Sequence, residues 1–177
     1  MEHEEIQRCP RALILTLVIA TALSAVLILL ASFLLAYDAR VGNEEVWIPA
    51  VIVVVTIACL GLLFHFSRLL VRIDADGVFV RFSPFHMKGR LLGWDEITSI
   101  TIRSVSPFTE FGGWGIRWNL GNRIGYVWNG QYGIELHLTD GKIVVITIND
   151  LDGARLALNT FVTAGNTKVT IQDRSIT

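Results

Sequence analysis

Two long apolar runs dominate the hydrophobic pattern in the first part of the chain. They extend over Ala12–Ala36 and Ile48–Val71, contain no Asp, Glu or Lys, and carry a single Arg, Arg68, near the end of the second run. Each run exceeds the roughly 20 residues that a helix needs to cross about 30 Å of hydrocarbon. The pattern therefore predicts transmembrane helices at 12–36 and 48–70, an external loop at 37–47 and a cytoplasmic N-terminal segment at 1–11.

The basic residues that flank these runs predict the orientation of the hairpin. The loop between the runs has one basic residue, Arg40, and aromatic residues stand at its two ends, Tyr37 and Trp47. The other flanking basic residues lie outside the loop: Arg8, Arg11, Arg68, Arg72 and Arg81. Lys and Arg favour the cytoplasmic side, and Trp and Tyr favour the headgroup layer. We therefore expect a multi-pass plasma-membrane protein, an integral partner of the lipid bilayer, with both termini in the cytoplasm.

After the second run the pattern changes to short alternating segments separated by turn signals. Asp76-Gly77 is a hairpin signal, Asp140-Gly141 is among the strongest such signals, and the isoleucines of Ile97–Ile102 fall mostly at period two. After Asn149, a candidate helix cap, apolar residues recur at helical spacing, namely Leu151, Ala154, Leu158 and Phe161. The pattern predicts a domain at 71–163, a barrel of about seven antiparallel strands capped by a C-terminal helix, and a flexible tail at 164–177.

Three segments of this domain resemble the bacterial pleckstrin-homology-like (PH-like) family of small two-span membrane proteins. They are Trp94-Asp95-Glu96-Ile97, the glycine-rich stretch 111–117 (Phe-Gly-Gly-Trp-Gly-Ile-Arg), and the run 133–149 ahead of the predicted helix. The resemblance covers about residues 70–162 and implies a mainly β, PH-like barrel used for binding and scaffolding. An OB-type barrel is the alternative fold, but it has five strands and needs no terminal helix.

Composition and motifs argue against several classes of function. The chain has 177 residues with a net charge of −1, and from Arg72 onward 11 Lys and Arg mix with 10 Asp and Glu, which disfavours nucleic-acid binding. Cys9 and Cys59 cannot form a disulfide framework, and no Cys or His pair has metal-ligand spacing. His137 and Glu135 alternate on one strand face, which we interpret as a solvated face. We therefore predict no enzyme, and no catalytic, cofactor-binding or metal-binding residues.

Two groups of residues are candidates for surface contacts. The aromatic-rich stretch after Phe108 supplies a predicted partner surface, and some of its rings could instead pack in the core or face a membrane; its members are Trp114, Arg117, Trp118, Arg123 and Trp128. A predicted lipid contact consists of Phe85, Lys88 and Arg90. Phosphoinositide binding is disfavoured because the first hairpin, Asp74-Ala75-Asp76-Gly77, is acidic.

These features predict a bacterial, membrane-anchored interaction or scaffolding domain in the cytoplasm. It would bind a protein partner or assemble with its own copies as a homo-oligomer. The alternative is peripheral sensing of an anionic membrane surface by the barrel. A small-molecule enzyme or a transport accessory has the least support in the sequence.

Overall fold

The computed structural model describes residues 2–37, 43–119, 122–164 and 169–173. The chain divides into two compact units. One unit is Cys9–Phe66, and the other combines Met1–Arg8 with Ser67–Thr177. The helical unit is therefore an insertion in the chain of the larger, β-rich unit.

The helical unit consists of α1 (Arg11–Tyr37) and α2 (Asn43–Phe66). Helix α2 begins five residues before the predicted run and includes Glu44 and Glu45, which we had assigned to a loop. Within the described residues, neither these helices nor any other is both long and apolar enough to cross a membrane.

The prediction of two membrane spans is therefore wrong. The integral bilayer partner, the multi-pass plasma-membrane location and the membrane anchor, which all depended on the spans, are wrong with it. The two runs do form helices, α1 and α2, but a span requires a helix that is both long and apolar enough, and neither described helix meets that condition. Residues 38–42 of the predicted external loop lie outside the described residues.

The β-rich unit begins with sheet A, a four-stranded antiparallel sheet. Its strands are β1 (His3–Arg8), β2 (Arg68–Ile73), β3 (Gly77–Ser83) and β4 (His86–Gly93), and they pair in that order. Residues 1–11 were expected to form a separate N-terminal segment, yet β1 pairs along its whole length with β2. The segment was missed because His-Glu-Glu-Ile-Gln-Arg has only one apolar residue, Ile6, and Ile6 is 54% exposed.

Polar side chains also connect β1 to the end of β9 and the start of α4. The buried Gln7 amide Nε2 donates to the Thr147 carbonyl oxygen at 2.5 Å. The Glu5 carboxylate accepts the backbone N–H groups of Asn149 and Asp150 at 2.9 and 3.1 Å. A carboxylate at the start of a helix satisfies free N–H groups and complements the helix dipole.

Sheet B has six strands in the order β10-β5-β8-β9-β7-β6. Its strands are β5 (Ile97–Ser104), β6 (Gly115–Asn119), β7 (Arg123–Val127), β8 (Tyr132–Leu138), β9 (Ile143–Ile148) and β10 (Thr170–Asp173). Two pairings are parallel, β7 with β9 and β10 with β5. Strand β10 lies in the region that we predicted to be a flexible tail.

Two further helices belong to this unit. Helix α3 (Pro107–Phe111) is a single turn between β5 and β6, and α4 (Leu151–Ala164) follows β9. The buried face of α4 is Ala154, Ala157 and Leu158, as the helical spacing predicted in part. The cap is Asp150 rather than Asn149, since its Oδ1 accepts the N–H of Gly153 at 3.0 Å.

The core of the unit is formed by apolar residues of both sheets together with the buried face of α4. Its large fully buried side chains include Leu69, Leu92, Ile100, Leu136 and Trp128. The predicted fold class is therefore wrong in two respects. No helix of the described residues could span a membrane, and these residues form ten strands in two sheets with four helices, rather than a barrel of about seven antiparallel strands.

Candidate functional site: an aromatic edge above an ion-pair cluster

The glycine-rich stretch between α3 and β6 reverses the chain and presents aromatic rings. Gly112 ends α3 in the left-handed conformation (φ 69°), and its N–H donates to the Phe108 carbonyl at 3.0 Å. Gly113 follows at φ 131°, where a residue with a Cβ is strained. The reversal brings Trp114 against Phe108 in an edge-to-face pair, with ring centroids 4.7 Å apart. This pair is a favourable aromatic geometry.

Strand β6, which follows directly, is the last strand of sheet B. Trp118 on this strand is 77% exposed, and Phe108 is 60% exposed. The Arg117 side chain is also exposed, and its Nε donates to the Trp114 carbonyl at 3.0 Å. We call Phe108, Trp114, Arg117 and Trp118 the aromatic edge.

An ion-pair cluster fastens α3 to sheet B. Arg103 on β5 contacts Glu110 on α3 through Nη2 at 2.7 Å and Glu135 on β8 through Nε at 2.8 Å. Arg123 on β7 donates to the same Oε2 of Glu135 at 2.8 Å, and His137 Nε2 lies 3.2 Å from Glu135 Oε1. The cluster thus joins three strands and the helix.

The environment of the cluster keeps both carboxylates ionised. Burial raises the pKa of Glu135, but the hydrogen bond and charge of Arg103, with the charges of Arg123 and His137, outweigh it and lower the pKa. The pKa of Glu110 is lowered in the same way, against its burial, by Arg103 and the Ser106 N–H. The pKa of Arg103 is raised by the two carboxylates despite burial. Carboxylates held in this state are poor proton donors, so the cluster is suited to fixing α3.

Gly125 on β7 leaves room for the Phe111 side chain of α3 to pack against sheet B. A Cβ built on Gly125 of β7 would lie 2.6 Å from the Phe111 ring, so the ring packs directly on the glycine backbone. With Glu110 paired and Phe111 packed on Gly125, the C-terminal end of this short helix turn is fixed. The aromatic edge is therefore presented on a preorganised support.

The residues of the predicted partner surface separate into three groups. Trp114, Arg117 and Trp118 come together on the aromatic edge, whereas Arg123 belongs to the ion-pair cluster beneath it. Trp128 is 1% exposed and packs edge-to-face on Phe82, with centroids 4.9 Å apart, so it is a core residue. Alternation along a strand sends about half of its residues inward, and the sequence alone left the inward set open.

Sequence reasoning missed Arg103 and Glu110 and misjudged Glu135. We had interpreted Glu135 and His137 as a solvated face, but Glu135 is 9% exposed and is paired with two arginines. The residues join across separations of up to 32 positions, so no local spacing could indicate the cluster. A charged residue within an apolar strand, such as Glu135, was the one available signal.

The predicted lipid-contact residues are also divided by the structure. Phe85 in the β3–β4 turn is 58% exposed, and Lys88 nearby is exposed. Arg90 is half-buried opposite Val80 within the sheet, away from the turn.

The helical unit has a groove of its own between α1 and α2. Its volume is about 460 Å³, and nearly all of its lining is apolar. The Thr21 hydroxyl in the lining donates to the Leu17 carbonyl at 2.6 Å, and His65 is the titratable side chain there. This groove offers no cluster of reactive groups. Across the described part of the chain, no group of His, Cys, Asp and Glu is arranged to hold a metal ion.

Comparison with known proteins found no matching family model and no matching curated protein. The resemblance to PH-like domains therefore stays a prediction from the sequence.

Proposed function

We propose that this protein is an interaction module that binds an extended segment of a partner protein along β6. The single observation that carries the proposal is that β6 is an edge strand and bears a large exposed aromatic side chain, Trp118. An edge strand presents a row of free backbone N–H and C=O groups to an incoming strand. In strand addition these groups supply affinity, and side chains along the edge supply specificity.

The other sheet edges are less suitable for strand addition. Strand β4 has irregular register against β3 and carries Lys88 and Arg90, features that protect an edge. Strand β1 is rich in charged residues, and β10 is only four residues long. Strand β6 carries a single charged residue, Arg117, and neither Lys nor acidic residues. It is therefore the edge with the least protection.

The composition of the aromatic edge supports a protein as the ligand. Trp, Tyr and Arg dominate the binding energy of protein interfaces, especially where their side chains are already ordered. The rings of Phe108 and Trp114 pack against each other, and the Arg117 Nε donates a hydrogen bond to the Trp114 carbonyl. Little side-chain freedom would be lost on binding. The membrane anchor of the sequence prediction has no part in this proposal.

Site-specific photocrosslinking tests the proposal in cells. A photoreactive phenylalanine analogue replaces Trp118 in the full chain, and the matched control replaces Leu91, which is 47% exposed on the edge strand β4. We expect a discrete adduct from position 118 and none from position 91. An adduct of twice the chain mass would identify a second copy of the chain as the occupant.

A charge on the edge provides the second arm. Trp118→Lys should abolish the adduct formed when the photoreactive analogue replaces Phe108, because a lysine on an edge strand disfavours the addition of another strand. Leu91→Lys should leave that adduct unchanged. Equal adducts from positions 118 and 91, or none from either in a folded protein, would refute the proposal.

A further inference from the structure

One end of sheet A concentrates basic side chains. The strand register places Arg8, Arg68 and Ser83 side by side, and the β3–β4 turn follows Ser83 directly. Four exposed basic residues lie at or near this end: Arg8, Arg68, Arg81 and Lys88. None of the four forms an ion pair with another described residue. We call this the basic end of sheet A.

Two exposed apolar side chains stand beside these charges. Phe85 is 58% exposed and Met87 is 68% exposed. The Phe85 ring stacks on the buried Phe82 ring, with centroids 5.7 Å apart and planes 16° apart. One face of the Phe85 ring therefore packs on a core residue, and the rest of the side chain is exposed to solvent.

Apart from Glu5, which accepts the N–H groups of Asn149 and Asp150, the acidic residues in and beside sheet A are at its opposite end. Ile73 pairs with His3, and Gly77 pairs with Gly93, so the neighbouring acids gather there: Glu2, Glu4, Asp74, Asp76 and Asp95. Arg72, which is near them, is neutralised by Asp74 at 2.8 Å and Glu2 at 3.7 Å. Negative and positive charges are thus separated along the strands of the sheet, and the positive charges at the end that carries Phe85 have no ion-pair partner among the described residues.

We propose that the basic end of sheet A docks peripherally on an anionic lipid surface. Lys and Arg are attracted to acidic headgroups, and exposed Phe and Met side chains can enter the headgroup boundary. The contact needs no membrane-spanning helix. It is also separate from the proposed function, since it uses the other sheet and none of the residues of the aromatic edge.

A fluorescent label at position 85 tests the contact in the full chain. Phe85→Cys in a Cys59→Ser background carries an environment-sensitive dye, because Cys59 is exposed whereas Cys9 is buried. The matched label is at Leu156→Cys on α4, where the native side chain is 56% exposed. Vesicles of phosphatidylcholine alone are compared with vesicles that contain about 30% phosphatidylglycerol, an anionic lipid.

We expect the dye at position 85 to report an apolar environment with the anionic vesicles only, and the dye at position 156 to remain unchanged. Lys88→Ala should weaken vesicle binding about fivefold, and Lys88→Glu about 25-fold, since each charge near such a surface contributes about fivefold. Lys142→Glu is the charge control, because Lys142 is exposed on another hairpin, and it should change nothing.

Circular dichroism confirms that each variant is folded. The same response with neutral vesicles, equal responses of the two labels, or no response at position 85 would overturn the proposal.

Discussion

Replacement of Glu135 by Gln tests whether the ion-pair cluster stabilises the folded β-rich unit. The substitution keeps the shape of the side chain and removes the charge that Arg103 and Arg123 share at Oε2, both at 2.8 Å. A hydrogen bond to a charged group contributes about 1.5–3 kcal/mol, against about 1 kcal/mol for a neutral one. Two bonds are weakened, and Arg103 keeps Glu110 as a partner. We therefore expect the free energy of unfolding to fall by about 2 kcal/mol, less than the 3–5 kcal/mol for a fully buried pair.

The same substitution should change the pH dependence of stability. The folded-state pKa of Glu135 is lowered, so the unfolded protein binds the proton more readily than the folded one. The contribution of Glu135 is therefore fully present above the unfolded value of about 4.3 and is lost as pH falls through the folded-state pKa. The stability difference between the wild type and Glu135→Gln should be largest near neutral pH and should shrink in acid.

Urea denaturation followed by tryptophan fluorescence, repeated from neutral to acid pH, measures both effects. Asp140→Asn is the matched control. The pKa of Asp140 is also lowered, chiefly by its hydrogen bond with Lys142, but the carboxylate is fully exposed, and Asn-Gly forms the same turn as Asp-Gly. It should leave stability unchanged. A loss below about 0.5 kcal/mol for Glu135→Gln, the range of ordinary surface changes, or a loss independent of pH would refute the argument.

Four other substitutions have defined outcomes. Gln7→Ala removes the donor to a buried carbonyl and should cost about 1–3 kcal/mol in urea denaturation, and no loss would mean that β1 is dispensable. Gly125→Ala places a methyl group against the Phe111 ring. It should destabilise the protein by about 1–3 kcal/mol and weaken crosslinking from position 118. Unchanged crosslinking would count against the role of α3 in supporting the aromatic edge. Trp128→Ala should cost about 3–5 kcal/mol, whereas Trp118→Ala should stay within about 0.5 kcal/mol, and equal losses would contradict the assignment of core and surface.

Local signals in the sequence predicted the local structure of the β-rich unit well. The Asp-Gly pairs at 76–77 and 140–141 form the turns of two antiparallel hairpins, with Gly77 and Gly141 at positive φ. The stripe that predicted a C-terminal helix includes Ala154 and Leu158, which are buried on α4. Turn chemistry and side-chain periodicity act over a few residues, so they can be recognised in one sequence.

Pairing between distant segments could not be predicted in this way. Strand β1 pairs with β2 across the inserted helical unit, and its buried contact is the amide of Gln7, which an apolar pattern does not reveal. Arg103 and Glu110 are close in the sequence and pair with each other. Both Arg103 and Arg123 also pair with Glu135, which lies on a later strand. The candidate site depended on such contacts. Its aromatic members were therefore predictable as residue types, whereas their exposure and support were not.

The two proposed surfaces of the β-rich unit depend on different interactions, and this difference separates them experimentally. Strand addition at β6 uses backbone hydrogen bonds and aromatic area around Trp118, which salt affects little. Docking of the basic end depends on exposed charges such as Arg81 and Lys88, whose attraction to anionic lipid is screened at high ionic strength. A salt titration should therefore release the label at position 85 from anionic vesicles while the adduct from position 118 persists. Loss of both signals at the same salt concentration would mean that one surface serves both contacts.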